Sequence, residues 1–277
     1  MYTHLEQRDS TRPPVSLGTL HKRKREGEKI SSLTCYDASF AVLCDAADTD
    51  IVLVGDSLGM VLQGHDTTLP VTMDDIVYHC KAVARGLHRP FLMADLPFAS
   101  YPTRDVALKN SVRLMQEGNA AMVKLESGPN QLEIVEFLAK HDIAVCAHLG
   151  LKPQSVHKTG GFRVQGREED AARRMLDNAK ALEAAGADIV LLECIPSELG
   201  KRITSELHVP VIGIGAGPDV DGQILVLYDV LDITTGRKPR FVKNFMDGAT
   251  SNLDAMQRFV QAVKQKTYPG PEHEFHA

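Results

Sequence analysis

The amino-acid sequence predicts an α/β protein that folds as a single (β/α)8 TIM barrel, and three observations support this fold class. From about Lys29 onward, eight short apolar runs alternate with longer segments of helical periodicity. The length of 277 residues accommodates a barrel of roughly 250 residues with short tails. Aromatic residues make up 5% of the chain and Trp is absent, which suits parallel strands rich in Val, Ile and Leu. A doubly wound sheet would show the same alternation, but the even spacing of the units favours the closed barrel.

Each predicted strand is a short apolar run, and each predicted helix is an amphipathic segment that follows one. The predicted strands are ISSLTCYD, IVLVGD, FLMADLPF, AMVKLE, IAVCAHLG, DIVLLEC, VPVIGIGAG and a weaker RFVKNF. The predicted helices include DDIVYHCKAVARGL, RDVALKNSVRLMQEG, QLEIVEFLAKH, EEDAARRMLDNAKALEAAG, PSELGKRITSEL and DGQILVLYDVL. Thr72 with Asp75, and the Pro102-Thr103 pair before Arg104, are typical helix starts.

The domain organisation is predicted to be a flexible N-terminal tail, residues 1–15, followed by one catalytic barrel, residues 16–277. The polar start contains Pro13-Pro14 and lacks the apolar core of a signal peptide, and no apolar run approaches a membrane span. The net charge of -5 gives no indication of a nucleic-acid surface and favours an enzyme that acts on a small molecule. The basic run 21–25 is interpreted as a solvated helix face, with a phosphate or localisation patch as the alternative.

The five cysteines lie far apart and form no C-x-x-C pair. An odd, scattered set indicates reduced thiols in a cytoplasm, because a disulfide framework or a zinc site needs paired or clustered cysteines.

Ionisable side chains stand at the C-terminal ends of the first six predicted strands: Asp37, Asp56, Asp95, Glu126, His148 and Glu193. Barrel enzymes build their active sites at this end. One acid there could cap a helix, but several acids on neighbouring strands repel one another unless a cation lies between them. Carboxylate ligands without a cysteine or histidine cluster favour Mg²⁺ over zinc. A hydrogen-bonded carboxylate network without a metal is the alternative.

Three further residues near these acids have more than one interpretation. Lys124 lies two residues before Glu126, so both side chains project to the same side of the strand. Lys124 could bind a carboxylate substrate, form a Schiff base, or pair with Glu126 or Asp95. Ser57 could bind substrate or cap the next segment, and His148 could orient a substrate atom or serve as hydrogen-bonded scaffolding.

Two glycine-rich connections follow predicted strands. GLKPQSVHKTGGFRVQG, residues 150–166, is long and polar, which is typical of an active-site lid, with an ordinary surface excursion as the alternative. The GIGAG segment, residues 213–217, is similar to barrel phosphate loops, but a tight turn is the plainer interpretation.

Several segments together resemble the ketopantoate hydroxymethyltransferase family, in the same order, over about residues 16–275. They are VGDSLGMVLQGHDTTLPVT, MADLPF, MVKLES, HLGLKPQSV, GGFRVQGR, LLECIPSELGKRI, VPVIGIGAG and DGQILVLYD. The VGDSLGM and GGFRVQGR segments are highly specific to that family, whereas GIGAG alone is not.

The resemblance implies that a hydroxymethyl group passes from 5,10-methylenetetrahydrofolate to 3-methyl-2-oxobutanoate, giving 2-dehydropantoate for pantothenate and coenzyme A synthesis. It also implies that Asp56, Asp95 and Glu126 form a Mg²⁺ site and that Ser57, Asp95 and Lys124 contact the keto acid. By the same resemblance, Glu193 is the base and the protein is a homo-oligomer, usually a decamer.

Three other functions remain open from the residues alone. A lysine-dependent aldolase would use Lys124 as a Schiff-base nucleophile. A relative of the phosphoenolpyruvate mutase and isocitrate lyase barrels would also stabilise an enolate, although the sequence lacks their K-K-C-G-H motif. A non-catalytic keto-acid or folate-binding barrel would bind a ligand without exchanging its C3 hydrogen.

Overall fold

A computed structural model describes residues 13–277 and shows a closed barrel of eight parallel strands in chain order. The strands are β1 (Ile30–Thr34), β2 (Ile51–Val54), β3 (Phe91–Asp95), β4 (Met122–Glu126), β5 (Val145–Gly150), β6 (Ile189–Glu193), β7 (Val211–Ile214) and β8 (Gly222–Leu225). The predicted TIM barrel is therefore confirmed.

The helices of the described chain cover the outside of the barrel and its N-terminal end. They are α1 (Leu17–Glu26), α2 (Ala38–Ala46), α3 (Leu58–Val61), α4 (Met73–Gly86), α5 (Arg104–Gln116), α6 (Leu132–Ala139), α7 (Val156–Thr159), α8 (Glu169–Ala184), α9 (Ser197–Glu206), α10 (Leu227–Val230) and α11 (Asn252–Lys264). The predicted helix starts are confirmed, since Thr72 and Asp75 form a capping box before α4 and Thr103 caps α5. Within residues 13–277, no helix is both long enough and apolar enough to cross a membrane.

The eighth strand is not where the sequence predicted it. RFVKNF, residues 240–245, is irregular, and β8 lies instead in the segment that was predicted as a helix. β8 closes the barrel by pairing with β1 and β7, and α10 follows it after one residue. The prediction was wrong because a short apolar run does not distinguish a buried strand from a buried helix by periodicity.

Two apolar cores follow from the alternation of strand side chains between the barrel interior and the helix layer. The larger core lies between strands and helices and includes Val52 and Val54 of β2. The smaller core takes Ile51 and Leu53 from the same strand, draws on all eight strands, and includes Leu20 of α1. It therefore fills the barrel interior and is covered at the N-terminal end by α1.

The N-terminal end of the barrel is held by ion pairs. Asp50 is 1% exposed and pairs with Arg23 of α1 and Lys264 of α11. Lys24 of α1 lies 2.7 Å from the Oδ2 atom of Asp221. The expectation that the basic run 21–25 is a solvated face is therefore wrong for Arg23 and Lys24, because each anchors α1 to the barrel.

The start of the described chain is already packed. Val15 is buried, and its backbone N–H donates to the carbonyl of Arg89 at 2.7 Å. The predicted flexible tail comprises residues 1–15, and residues 1–12 of it lie outside the described residues. The tail and the domain boundary at residue 16 therefore stay predictions.

Candidate active site

The inward-facing rows of four neighbouring strands change from apolar to ionisable residues at the C-terminal mouth of the barrel. The rows run from Phe91 and Met93 to Asp95, from Met122 to Lys124 and Glu126, from Cys146 to His148, and from Ile189 and Leu191 to Glu193. Since every second residue of a strand faces the same side, the sequence itself directs these side chains into the barrel. All of them except Glu193 are buried.

Asp95 is the centre of the first cluster. Its Oδ2 atom accepts a hydrogen bond from the backbone N–H of Asp56 at 3.0 Å, and its Oδ1 atom lies 2.8 Å from Nζ of Lys124. The pairing of Lys124 with Asp95 is one of the contacts that the sequence left open. The structure thus brings Asp56, Asp95 and Lys124 together across β2, β3 and β4.

Gln154 joins Asp56 to Glu126. Its side-chain Nε2 donates to Asp56 Oδ2 at 2.8 Å, and its backbone N–H donates to Glu126 Oε1 at 2.7 Å. Tyr101 donates from its hydroxyl to Gln154 Oε1 at 2.6 Å. Sequence reasoning missed Gln154 and Tyr101. The one sequence signal for Gln154 is its position in the long glycine-rich connection, residues 150–166.

Glu193 and His148 form a second pair beside this cluster. Oε2 of Glu193 lies 3.2 Å from Nε2 of His148, and the side chain of Glu193 is 17% exposed whereas that of His148 is 3% exposed. Burial, reinforced by the nearby Lys124 ammonium, lowers the pKa of His148 well below its ordinary value. A neutral imidazole therefore faces the carboxyl group of Glu193.

Two acids of the mouth, Asp56 and Glu126, resist ionisation. Burial raises the pKa of Asp56 to about 8, and the neighbouring Asp95 carboxylate adds to the rise. Burial also raises the pKa of Glu126 to about 7, against the opposing effects of the Gln154 backbone N–H and of Lys124. Burial alone would lower the pKa of Lys124, but the Asp95 and Asp56 carboxylates hold it above its ordinary value.

Ser57 and Asp37 differ in their relation to the cluster. An added Cβ at Gly55 would lie 3.1 Å from Asp95 Oδ2 and 3.2 Å from Ser57 Oγ, so the absence of a side chain at Gly55 lets both groups approach. Ser57 makes no side-chain cap to α3 and shares a 2.9 Å hydrogen bond with the Tyr36 hydroxyl. Asp37 accepts from the backbone N–H of Phe40 at 2.9 Å and caps α2, so it lies outside the cluster.

The GIGAG turn after β7 is filled by the protein's own side chains. A Cβ at Gly215 would lie 2.8 Å from the Phe241 ring and 3.0 Å from the Phe275 ring, and one at Gly217 would lie 2.6 Å from Ser197. Both glycines have left-handed backbone angles, φ +62° and +84°, which glycine adopts without strain. These contacts support the interpretation of a tight turn.

A cleft of about 190 Å³ opens at the surface beside Glu126 and Gln154. Phe98, Tyr101 and Lys152 contribute to its walls. Within residues 13–277, no three side chains of the His, Cys, Asp and Glu types lie close enough together to hold a metal ion by themselves.

Comparison with known proteins shows the family. The family model described as ketopantoate hydroxymethyltransferase matches residues 14–271. A 3-methyl-2-oxobutanoate hydroxymethyltransferase of Alkalilimnicola ehrlichii is 57% identical over 265 residues, which are 96% of this chain and 96% of that protein. One of the same name from Nitrosococcus oceani is 55% identical over 92% of this chain and 97% of that protein. The names of these relatives identify transferase enzymes, against the non-catalytic interpretation.

Solved structures with a similar fold are far more distant in sequence. Phosphonopyruvate hydrolase in complex with oxalate and Mg²⁺ is similar with a TM-score of 0.56 and 16% identity, over 76% of this chain and 80% of that chain. Oxaloacetate acetylhydrolase is similar with a TM-score of 0.57 and 15% identity, over 92% of this chain and 99% of that chain. At such identity these likenesses show the barrel fold alone.

Proposed function

Because the chain belongs to the ketopantoate hydroxymethyltransferase family, we propose that it transfers a hydroxymethyl group from 5,10-methylenetetrahydrofolate to 3-methyl-2-oxobutanoate. The product is 2-dehydropantoate, for pantothenate and coenzyme A synthesis. The observation that carries this proposal is that one barrel mouth holds a cation, Lys124, paired with the Asp95 carboxylate, and a base candidate, Glu193, beside His148. Such a mouth can hold an anionic keto acid and remove a proton from it.

The donor groups of the mouth fit Mg²⁺, and we assign Asp56, Asp95 and Glu126 to its site. Mg²⁺ keeps several waters and is held in proteins by one or two carboxylates, so the lack of three converging ligands within the described chain agrees with binding partly through water. A nearby cation also offsets the burial and mutual repulsion that raise the pKa values of Asp56 and Glu126.

Substrate binding is assigned to Lys124, Ser57, Asp95 and His148. The Lys124 ammonium offsets the carboxylate charge of the keto acid, and Ser57 Oγ and Asp95 Oδ2 both approach Gly55. His148, neutral and 2% exposed, orients a polar atom of the substrate and the carboxyl group of Glu193. These residues fix C3 of the keto acid in reach of the base.

Glu193 is assigned as the base that takes the proton from C3. Burial raises the pKa of Glu193 to about 7, which places it close to the value at which a general base is most effective at neutral pH. When bound, Mg²⁺ supplies Lewis-acid stabilisation of the charge that develops on the keto acid. C3 then forms the new carbon–carbon bond with the methylene carbon of the folate, the two bonds of that carbon to folate nitrogens break, water supplies the hydroxyl group, and tetrahydrofolate leaves.

The state of Lys124 favours this proposal over the Schiff-base aldolase. An amine must be neutral to attack a carbonyl carbon, and the carboxylates around Lys124 hold its pKa above the ordinary value. Borohydride added with 3-methyl-2-oxobutanoate should therefore leave Lys124 unmodified. Covalent trapping of Lys124, seen by peptide mass spectrometry, would support the aldolase instead.

The experiment that tests the function is product analysis by mass spectrometry with the purified protein. 2-Dehydropantoate should form only when keto acid, 5,10-methylenetetrahydrofolate and Mg²⁺ are all present, and EDTA should stop its formation. No product from the complete mixture would overturn the reaction. Product formation that is insensitive to EDTA would overturn the metal requirement.

The proposal extends to assembly and location. We propose a homo-oligomer, in the form of a homodecamer, that works in the cytoplasm. Exposed aromatic side chains, Tyr78 and Phe162 among them, support subunit contacts, and the five buried free cysteines suit a reducing compartment. Light scattering of the purified protein should give about ten times the 30.3 kDa chain mass, and a monomer mass would refute the assembly.

A further inference from the structure

Gln154 lies in the short 3-10 turn Pro153–Ser155 that follows β5, and it is 8% exposed. Its Nε2 atom donates to Asp56 Oδ2 at 2.8 Å and to the carbonyl of Leu96 at 3.1 Å. Its Oε1 atom accepts from Tyr101 at 2.6 Å. Because the carbonyl of Leu96 can only accept, this contact fixes the orientation of the amide.

Gln154 donates a hydrogen bond to one oxygen of Asp56 and to one oxygen of Glu126, two acids of the proposed Mg²⁺ site. Gln154 binds Oδ2 of Asp56 through its side chain and Oε1 of Glu126 through its backbone N–H. Within residues 13–277, no hydrogen bond reaches the remaining oxygens, Oδ1 of Asp56 and Oε2 of Glu126. Each acid therefore has one oxygen that carries no hydrogen bond, and a second oxygen whose acceptor capacity Gln154 partly uses, since each carboxylate oxygen has two lone pairs.

Binding through one oxygen of each acid, rather than through both, distinguishes two divalent cations. Mg²⁺ requires near-octahedral geometry at short distance and keeps its waters, whereas Ca²⁺ accepts six to eight oxygens and binds carboxylates through both atoms. A residue that engages the second oxygen of two carboxylates disfavours two-oxygen binding of Ca²⁺, and by orienting both acids it supports the one-oxygen binding that Mg²⁺ requires.

We propose that Gln154 is a positioning residue that holds Asp56 and Glu126 as one-oxygen ligands and thereby makes the site selective for Mg²⁺ over Ca²⁺. The Tyr101 hydroxyl fixes the amide of Gln154 in this role. This role depends on the proposed function, since it presupposes that a divalent cation binds at the mouth.

The experiment is calorimetric titration of the full-length protein with Mg²⁺ and, separately, with Ca²⁺. The variants are Gln154→Leu and the milder Tyr101→Phe, which removes only the hydroxyl. Gln257→Leu, the same change at an exposed position of α11, is the control. Thermal unfolding of each variant shows that the protein remains folded.

Gln154→Leu should weaken Mg²⁺ binding by about 10- to 100-fold, the usual loss when a group that orients a metal ligand is removed. Ca²⁺ binding should weaken less, so that the ratio of Mg²⁺ to Ca²⁺ affinity falls. Tyr101→Phe should lower the same ratio to a smaller extent at an unchanged melting temperature, and Gln257→Leu should leave it unaltered.

Two results would overturn the role of Gln154. One is an unchanged Mg²⁺ affinity in Gln154→Leu, and the other is an equal loss of both affinities, which a general loosening of the mouth would produce. A wild-type protein that binds neither cation would instead overturn the proposed metal site itself, so the two failures are distinguishable.

Discussion

Glu193 is the residue whose surroundings most directly support a chemical role. It continues the inner row of β6 beyond Leu191, faces a neutral His148 at 3.2 Å, and keeps 17% of its side chain exposed at the mouth. Burial raises its pKa to about 7. A carboxyl group of this kind can both accept a proton and return it near neutral pH.

Replacing Glu193 by Gln should remove the base without removing the substrate site. We expect Glu193→Gln to slow exchange of the C3 hydrogen of 3-methyl-2-oxobutanoate by at least about 100-fold, the lower range for a positioned base. Mg²⁺-dependent binding of the keto acid should change little, because the residue is assigned to neither group of ligands. Exchange at the normal rate, followed by proton NMR in deuterated water, would exclude Glu193 as the base.

Mg²⁺ binding should depend on pH in a direction set by the raised pKa values of Asp56, about 8, and Glu126, about 7. A carboxyl whose pKa is raised by folding contributes stability below its unfolded pKa, about 4, and loses it as the pH rises through the folded value. Without added Mg²⁺, the protein should therefore lose stability as the pH rises from about 4 to about 8. Because Mg²⁺ needs ionised carboxylates, its affinity should increase over the same interval.

Thermal unfolding with and without Mg²⁺ at several pH values checks this expectation. Mg²⁺ should raise the melting temperature, and this rise should become larger as the pH increases. In Glu126→Gln, the rise should depend less steeply on pH. A constant increase at all pH values would contradict the assigned ligands.

The elements show what the sequence could and could not predict. The sequence predicts which residues of β3 to β6 face the barrel interior, because side chains alternate along a strand. All the acids assigned to the site except Asp56 follow that alternation. The sequence did not predict β8, because one residue separates this four-residue strand from α10. The apolar residues of β8 and α10 together have the periodicity of one helix. Gln154 could not be assigned, because its contacts with Asp56 and Glu126 depend on how a connection folds back over the mouth.

Barrel closure at β8 should be sensitive to a single methyl group. A Cβ at Gly222 would lie 2.5 Å from the carbonyl oxygen of Ile30 and 2.7 Å from the Ile212 side chain. Gly222→Ala should therefore lower the free energy of unfolding by about 1–3 kcal/mol, the usual cost of overpacking. Denaturant titration provides the measurement.

Gly18→Ala is the matched control for Gly222→Ala. Gly18 lies inside α1, and the nearest atom to its added Cβ is Ser16 Oγ at 3.7 Å. Alanine in a helix interior should raise stability by about 0.5–1 kcal/mol. If both substitutions have the same effect, the close contact at Gly222 does not limit closure.

Within the described chain, a buried ion-pair cluster and the charges proposed for catalysis lie at opposite ends of the barrel. The ion pairs of Asp50 with α1 and α11 lie at the N-terminal end of the barrel, whereas the acids of the site lie at the C-terminal mouth. This division is typical of barrel enzymes. It follows that changes at the two ends should affect different properties.

Asp50→Asn should destabilise the fold and spare the site. Removal of one partner from a buried ion pair costs about 3 kcal/mol or more, and the carboxylate of Asp50 also accepts from the backbone N–H of Ser31 at 2.9 Å. We expect a lower melting temperature with an unchanged affinity for Mg²⁺. A loss of Mg²⁺ affinity in a variant that remains folded would show that the two ends are coupled.

We propose that acids from neighbouring strands hold one divalent cation that activates C3 of a bound keto acid. Exchange of the C3 hydrogen of 3-methyl-2-oxobutanoate in deuterated water, without folate, tests it most directly. We predict exchange with Mg²⁺, none after treatment with EDTA, and recovery when Mg²⁺ is restored. Exchange at the same rate in EDTA would show that no divalent cation takes part in activating C3.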